Sequence, residues 1–160
     1  MKKLTLLAAA ATLTAGSIAF VGTATAEEAK SERQAANATQ FRQALFQLVR
    51  SNMGPLGGMA RGQIPMDAEV IGKNAVRLEQ LGMMVPDYFA TETTGFSVET
   101  EALPKLWENM DDFVAKSNDL VEAARALQAV VATGDENAYR KAIGQVGATC
   151  KACHDAYKAE

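Results

Sequence analysis

The chain has 160 residues, 48% of them hydrophobic and 22% charged, with a formal net charge of −3. The length suits a single domain. The mildly acidic balance argues against nucleic acid or an anionic membrane surface as partner.

The first predicted element is an address. Lys2 and Lys3 form a short basic region, Leu4 to Val21 is apolar and rich in small residues, and Ala24-Thr25-Ala26 is a small-x-small cleavage site. This is the layout of a secretory signal, residues 1–26. Gly16, Ser17 and the threonines in or near this short apolar run make it a poor membrane span. Removing it takes away two lysines and no acid, so the charge of residues 27–160 becomes −5. Export places that domain in an oxidising compartment.

Four helical patterns follow and no strand pattern does. The first runs from about Glu32 to Met53. Phe41, Leu45, Leu48 and Asn52 share one face at helical spacing, and Arg42, Phe46, Val49 and Met53 follow one step round. This stripe is wider than a simple amphipathic helix needs, and Gly54-Pro55 is expected to end it. The second pattern starts at Asp67, a good N-cap. It places Ile71, Ala75, Leu78 and Gly82 on one face, with Pro86 expected beyond its end. The third follows Pro104, carries Leu106, Met110, Phe113, Ser117, Leu120, Ala124, Leu127 and Val131 at 3–4 spacing, and stops at Gly134. The fourth runs from about Glu136 to Lys158 with Tyr139, Ile143, Val146, Cys150, Cys153 and Tyr157 on its buried stripe. Four such helices predict an all-α, up-down-up-down four-helix bundle. The long connection from Met84 to Leu103 is expected to cover something. Trp107 is a core anchor by position, and Asp111-Asp112 and Glu27-Glu28 read as solvated acids.

The chemistry lies in Cys150-Lys151-Ala152-Cys153-His154, which holds both cysteines and the only histidine. Cys-x-x-Cys-His is the c-type haem attachment pattern. Two thiols three apart on a helix project from one side and can add to the two vinyl groups of one porphyrin edge. The adjacent imidazole of His154 can then reach the iron as its axial ligand, and no second histidine exists. A zinc site needs four ligands, and here a carboxylate would have to complete the set. A thiol redox pair prefers a strand-to-helix setting, which is missing. A disulfide three residues long would constrain little. One covalent haem c per chain is the reading of this motif.

The residues around the motif carry a family resemblance. Cys150-Lys151-Ala152-Cys153-His154-Asp155-Ala156-Tyr157-Lys158 resembles the C-terminus of cytochrome c′, the class II c-type cytochromes. Asn52-Met53-Gly54-Pro55-Leu56-Gly57-Gly58-Met59-Ala60-Arg61-Gly62 resembles the first loop of that family, Pro65-Met66-Asp67 its second-helix start, and Leu103-Pro104-Lys105-Leu106-Trp107 its Pro-x-x-Trp third-helix start. The likeness spans about Ala35 to Lys158. A C-terminal haem motif separates it from class I cytochromes.

The resemblance implies several roles. Low-spin members use a first-helix methionine as sixth iron ligand, and that position falls here at Phe46, which has no lone pair to give. Phe46 then guards the distal face, and the iron is five-coordinate and high-spin. The six methionines left after signal removal read as packing material. Met53, on the same face, is two turns from Phe46, about 10 Å along the axis. Arg42 and Gln43 match residues that approach the haem propionates. Glu101 and Thr100 match a haem-lining stretch, and Lys158 matches a basic residue over the proximal side, though a C-terminal lysine also suits the helix dipole. The resemblance implies a periplasmic haem protein that binds small uncharged diatomics such as NO and CO. It points to NO binding or detoxification, with electron transfer to a periplasmic redox partner, and to gas binding more than to turnover. The competing reading is a low-spin, methionine-ligated electron carrier. The family commonly dimerises through its first two helices, so the extra apolar width of the first helix predicts a homodimer, although haem lining would also use that width.

Overall fold

The computed structural model describes residues 25–159; the signal-sequence assignment lies almost wholly outside these residues. A two-residue strand β1 (Glu27–Glu28) leads into α1 (Glu32–Ala60) and α2 (Ala68–Phe89). After β2 (Thr91–Glu92) come a short α3 (Lys105–Glu108), α4 (Met110–Val131) and α5 (Glu136–Tyr157). The long helices α1, α2, α4 and α5 make the expected up-down-up-down four-helix bundle. Among the described residues, no helix is long and apolar enough to cross a membrane.

Helix α1 starts where Ser31 accepts a hydrogen bond from the backbone N–H of Gln34, while the Gln34 side chain accepts from Lys30 N–H. One first-turn donor is thereby satisfied, and the reciprocal bond reaches one residue before the N-cap, a variant of the capping box. Gly54-Pro55 does not end the helix, contrary to expectation. Pro55 lies inside it, and two more turns carry Leu56 and Met59 into the core. Arg140 of α5 donates to the carbonyls of Met59 and Ala60, fixing that last turn from outside. Burial of two large side chains outweighs the single hydrogen bond a proline removes. The real stop is Gly62, at φ +70°, with Gly62 N–H bonded to Met59 C=O and Gln63 N–H to Gly58 C=O. This is a Schellman ending, which needs the left-handed conformation that glycine supplies.

The start of α2 is as expected, with Asp67 accepting from Val70 N–H at 3.0 Å. Its end is not, because Pro86 lies within the helix and the last turn buries Val85 and Phe89. At Gly82 the helix passes close to α4. A Cβ there would meet Val121 at 3.0 Å, and Ser117 Oγ donates to Gly82 C=O. The predicted third helix is two pieces, broken at Asn109, whose backbone (φ −130°, ψ 44°) leaves the helical region. Gly134, at φ +74°, follows α4 as foreseen. The absence of strand patterns was correct for the bundle but missed one parallel pair. Glu27 pairs with Thr91 and Glu28 with Glu92, stitching the N-terminal segment to the loop after α2.

The core joins all four long helices. Phe89 is its aromatic hub, with ring centroids 4.7 Å from Phe113, 6.1 Å from Phe46 and 6.3 Å from Trp107. Asp112, read as a solvated acid, accepts from the buried Tyr157 hydroxyl and pairs with Lys116.

Candidate functional site

A cavity of about 900 Å³ opens between α1, α2, α4 and α5, with the 99–102 segment contributing to its lining. This is large for a small-molecule site. Its wall on α1 carries Thr39, Arg42, Gln43, Phe46, Val49 and Met53; the facing wall on α5 carries Cys150, Cys153 and His154. Val85, Phe89, Leu106, Phe113 and Leu120 line its apolar interior. Glu101 and Lys158 stand at the rim, so every candidate site residue borders this one space.

The two thiols are free and half-buried. Burial pushes both above the ordinary cysteine value; for Cys153 the nearby Lys116 works in the opposite sense. Both are therefore neutral thiols at pH 7, the form that adds S–H across a vinyl double bond. His154 is on the exposed flank of α5, one turn from Cys150, and its carbonyl accepts from Lys158 N–H.

Phe46 is 36% exposed and turns its ring edge to Phe89 at an interplanar angle of 64°. Its free surface is part of the cavity wall. Met53 borders the same cavity two turns along, but its Cε lies against α5, 3.8 Å from where a Cβ of Gly147 would be.

Arg42 has a task that spacing did not reveal. It is 3% exposed, and its guanidinium donates to Tyr88 C=O at 2.9 Å, to Thr93 Oγ1 at 3.1 Å and to Thr91 C=O. It also stacks over Phe89 at 4.8 Å and Trp107 at 5.1 Å. Burial lowers its pKa to about 10, which still leaves it charged at neutral pH. Three of its five donors thus tie the last turn of α2 at Tyr88 to the segment that follows it at Thr91 and Thr93, and two remain. Gln43 donates to Glu99 C=O at 3.0 Å, holding the next stretch of the same loop.

Lys158 is not a further helical residue, as the fourth pattern implied. Its backbone is extended (φ −112°, ψ 137°) and bridges Ala102. Leu103 N–H to Tyr157 C=O and Ala159 N–H to Glu101 C=O complete this seam. The Lys158–Glu101 ion pair at 3.1 Å lies on the surface over it, where such pairs contribute little. Thr39, Gln47, Arg50, Arg61, Lys116 and Thr149 also line the cavity and were not singled out as site residues. Thr39, Gln47 and Arg50 had a legible signal, since helical spacing on α1 puts each one turn from Arg42, Gln43 or Phe46.

A planar, apolar ring with carboxylates on one edge and reactive vinyls on another fits these walls. Thiols and an imidazole stand on one side, Phe46, Val49, Val85 and Phe89 give the interior hydrocarbon, and Arg42, Gln43 and Arg50 on α1 with Arg61 at its C-cap supply cations and donors for the carboxylates. An apolar cavity in a four-helix bundle with Cys-x-x-Cys-His on its last helix defines a class, the bundle-type c haem proteins. The family described as Cytochrome C′ matches residues 37–158, and the chain belongs to that family, whose members carry covalently attached haem c. Cytochrome c-554 of Cereibacter sphaeroides is 37% identical over 132 residues, covering 81% of this chain and 86% of that protein. Cytochrome c prime from Shewanella frigidimarina superposes with a TM-score of 0.71 at 33% identity, covering 79% of this chain and 97% of the other. A nitric oxide complex of a mutant cytochrome c prime from Alcaligenes xylosoxidans superposes with a TM-score of 0.68 at 32% identity, covering 79% and 97%.

Proposed function

We propose that the protein is a periplasmic haem c protein whose iron is five-coordinate and high-spin, and that it binds NO and CO on the face beneath Phe46. Cys150 and Cys153 hold the haem through thioethers, and His154 is its axial ligand. Bound haem supplies an iron that takes up a diatomic gas when one axial position is free. The carrying observation is Phe46 on the cavity wall, with no other histidine in the chain to fill that position. Phe46 packs edge-on against Phe89, with Val85 beside them on the cavity wall, and a hydrocarbon distal wall disfavours polarised dioxygen relative to NO and CO. The nitric oxide complex of the Alcaligenes relative supports the same reading. NO capture or detoxification is the role, with electrons exchanged through a periplasmic redox partner; periplasmic residence is general in the family.

A methionine-ligated electron carrier is favoured by one feature, the presence of Met53 on the cavity wall. Its packing against α5 beside Gly147 weighs against it. Phe46→Ala and Phe46→Met separate the readings. Phe46→Ala should speed CO and NO binding by removing the ring, and Phe46→Met should convert the iron towards low spin. CO binding rates unchanged in Phe46→Ala would contradict the distal assignment.

The protein also pairs with a second copy through α1 and α2. Phe41 is 56% and Leu48 54% exposed, seven residues apart on α1. Val76 and Met83 repeat that spacing, also exposed, on α2. Neither Phe41 nor Leu48 borders the haem cavity, so haem lining does not account for them. An isologous pairing would bury both stripes.

A further inference from the structure

A helix leaves its last carbonyls without partners inside the helix, and they form the negative end of its dipole. At the end of α2 the carbonyls from Asp87 to Ala90 each meet a donor of their own. Asp87 C=O accepts from Ala90 N–H at 3.3 Å and Tyr88 C=O from Arg42 at 2.9 Å. Phe89 C=O accepts from the Trp107 indole at 3.1 Å, and Ala90 C=O from Glu27 N–H at 2.8 Å. The last turn of α2 contains Asp87 and no basic residue, so any cation at this end must come from elsewhere in the chain.

Glu27 is also the residue that follows the small-x-small sequence Ala24-Thr25-Ala26. Hydrolysis of the Ala26–Glu27 peptide bond adds one water. The carbonyl carbon of Ala26 leaves as a carboxylate, and the Glu27 nitrogen becomes an ammonium with three hydrogens. The nitrogen that faces Ala90 C=O is the same atom before and after the cut. Afterwards it carries a full positive charge where a helix C-terminus favours one, and a charged donor makes the stronger hydrogen bond. The rest of the strand is already in place. Glu27 pairs with Thr91 and Glu28 with Glu92, and the buried Ala29 donates its N–H to Glu92 C=O at 2.8 Å. Arg42 holds the same segment from the cavity side, at Thr91 and Thr93.

We propose that the Ala26–Glu27 bond is a processing site whose cleavage tightens the fold. The new α-ammonium of Glu27 binds Ala90 C=O at the end of α2 and holds residues 27–29 against the 91–93 segment that Arg42 ties from inside. This rests on the signal-sequence reading and does not depend on the placement of haem. Before cleavage the contact has a neutral donor; removal of the leader supplies the charge.

The test uses three forms of the purified, exported protein. They are the processed chain, the same chain acetylated at its α-amino group, and a variant with one alanine inserted between Ala26 and Glu27. Acetylation deletes the charge and keeps the N–H donor, and the inserted alanine moves the charge one residue away. Hydrogen–deuterium exchange read by mass spectrometry follows the Ala29 N–H, and intact mass gives the first residue of each chain. At low salt the processed chain should exchange there about two- to fivefold more slowly than either other form, the ratio expected of a charge at a helix end. The difference should vanish at about 1 M salt, where charges are screened within about 3 Å. Equal exchange at low salt in a chain that begins at Glu27 overturns the proposal alone. An intact mass that places the first residue elsewhere overturns the signal-sequence reading beneath it.

Discussion

Replacing Arg42 by methionine tests whether the cavity is held open by the loop that this side chain ties down. The guanidinium satisfies two backbone carbonyls, at Tyr88 and Thr91, and the buried hydroxyl of Thr93. Each buried acceptor stripped of its donor costs about 1–3 kcal/mol. Lost stacking on Phe89 and Trp107 adds about 1 kcal/mol. Methionine fills much of the volume, and relief from burying a charge offsets part of the loss. Arg42→Met should therefore destabilise the holoprotein by about 3–4 kcal/mol, a fall of roughly 10 °C in Tm for a domain of this size. Arg42→Lys should lose about half as much, because a point charge cannot serve three diverging acceptors. Urea unfolding of the holoproteins, followed by far-UV circular dichroism, gives the values through the midpoint at constant slope. A loss below about 1 kcal/mol would be too small for three stripped acceptors. Joined to a large change in reduction potential, it would show that Arg42 serves the haem carboxylates rather than the loop.

Three further outcomes are expected. Cys150→Ala or Cys153→Ala should weaken haem attachment, and the double variant should lose all haem to acid-acetone extraction; extraction of haem from the parent would contradict the thioether assignment. Burial and the hydrogen bond to Asp112 raise the Tyr157 phenol to about 12. An acid whose folded pKa exceeds its unfolded value of about 10 contributes stability below pH 10 and loses it between about pH 10 and 12. Tyr157→Phe should flatten that alkaline fall in an unfolding series, and an unchanged profile would refute the link. Leu48→Glu with Met83→Glu should turn the dimer into a monomer in sedimentation velocity with the haem spectrum unaltered; a monomeric parent at high concentration would remove the dimer.

Helix starts were legible because they depend on local chemistry. Asp67 caps α2 through a bond three residues away. Helix ends were less so. Gly54-Pro55 and Pro86 read as stops, but the turns beyond them bury Leu56, Met59 and Phe89, and tertiary burial overrides a local breaker. The break at Asn109 left the apolar period of the third helix intact, so periodicity ran straight through it. At the site, Cys150, Cys153 and His154 stand out in the sequence by their spacing, and all three border the cavity. The work of Arg42 was not legible, since its partners lie 46 to 51 residues away, on the last turn of α2 and in the patternless segment after it.

Electron paramagnetic resonance of the purified ferric protein at neutral pH, with resonance Raman of the ferrous form, tests the central claim most directly. An open iron opposite His154 predicts high-spin, five-coordinate signals in both oxidation states. A wholly low-spin, six-coordinate spectrum would place a protein ligand beneath Phe46 and contradict the gas-binding account.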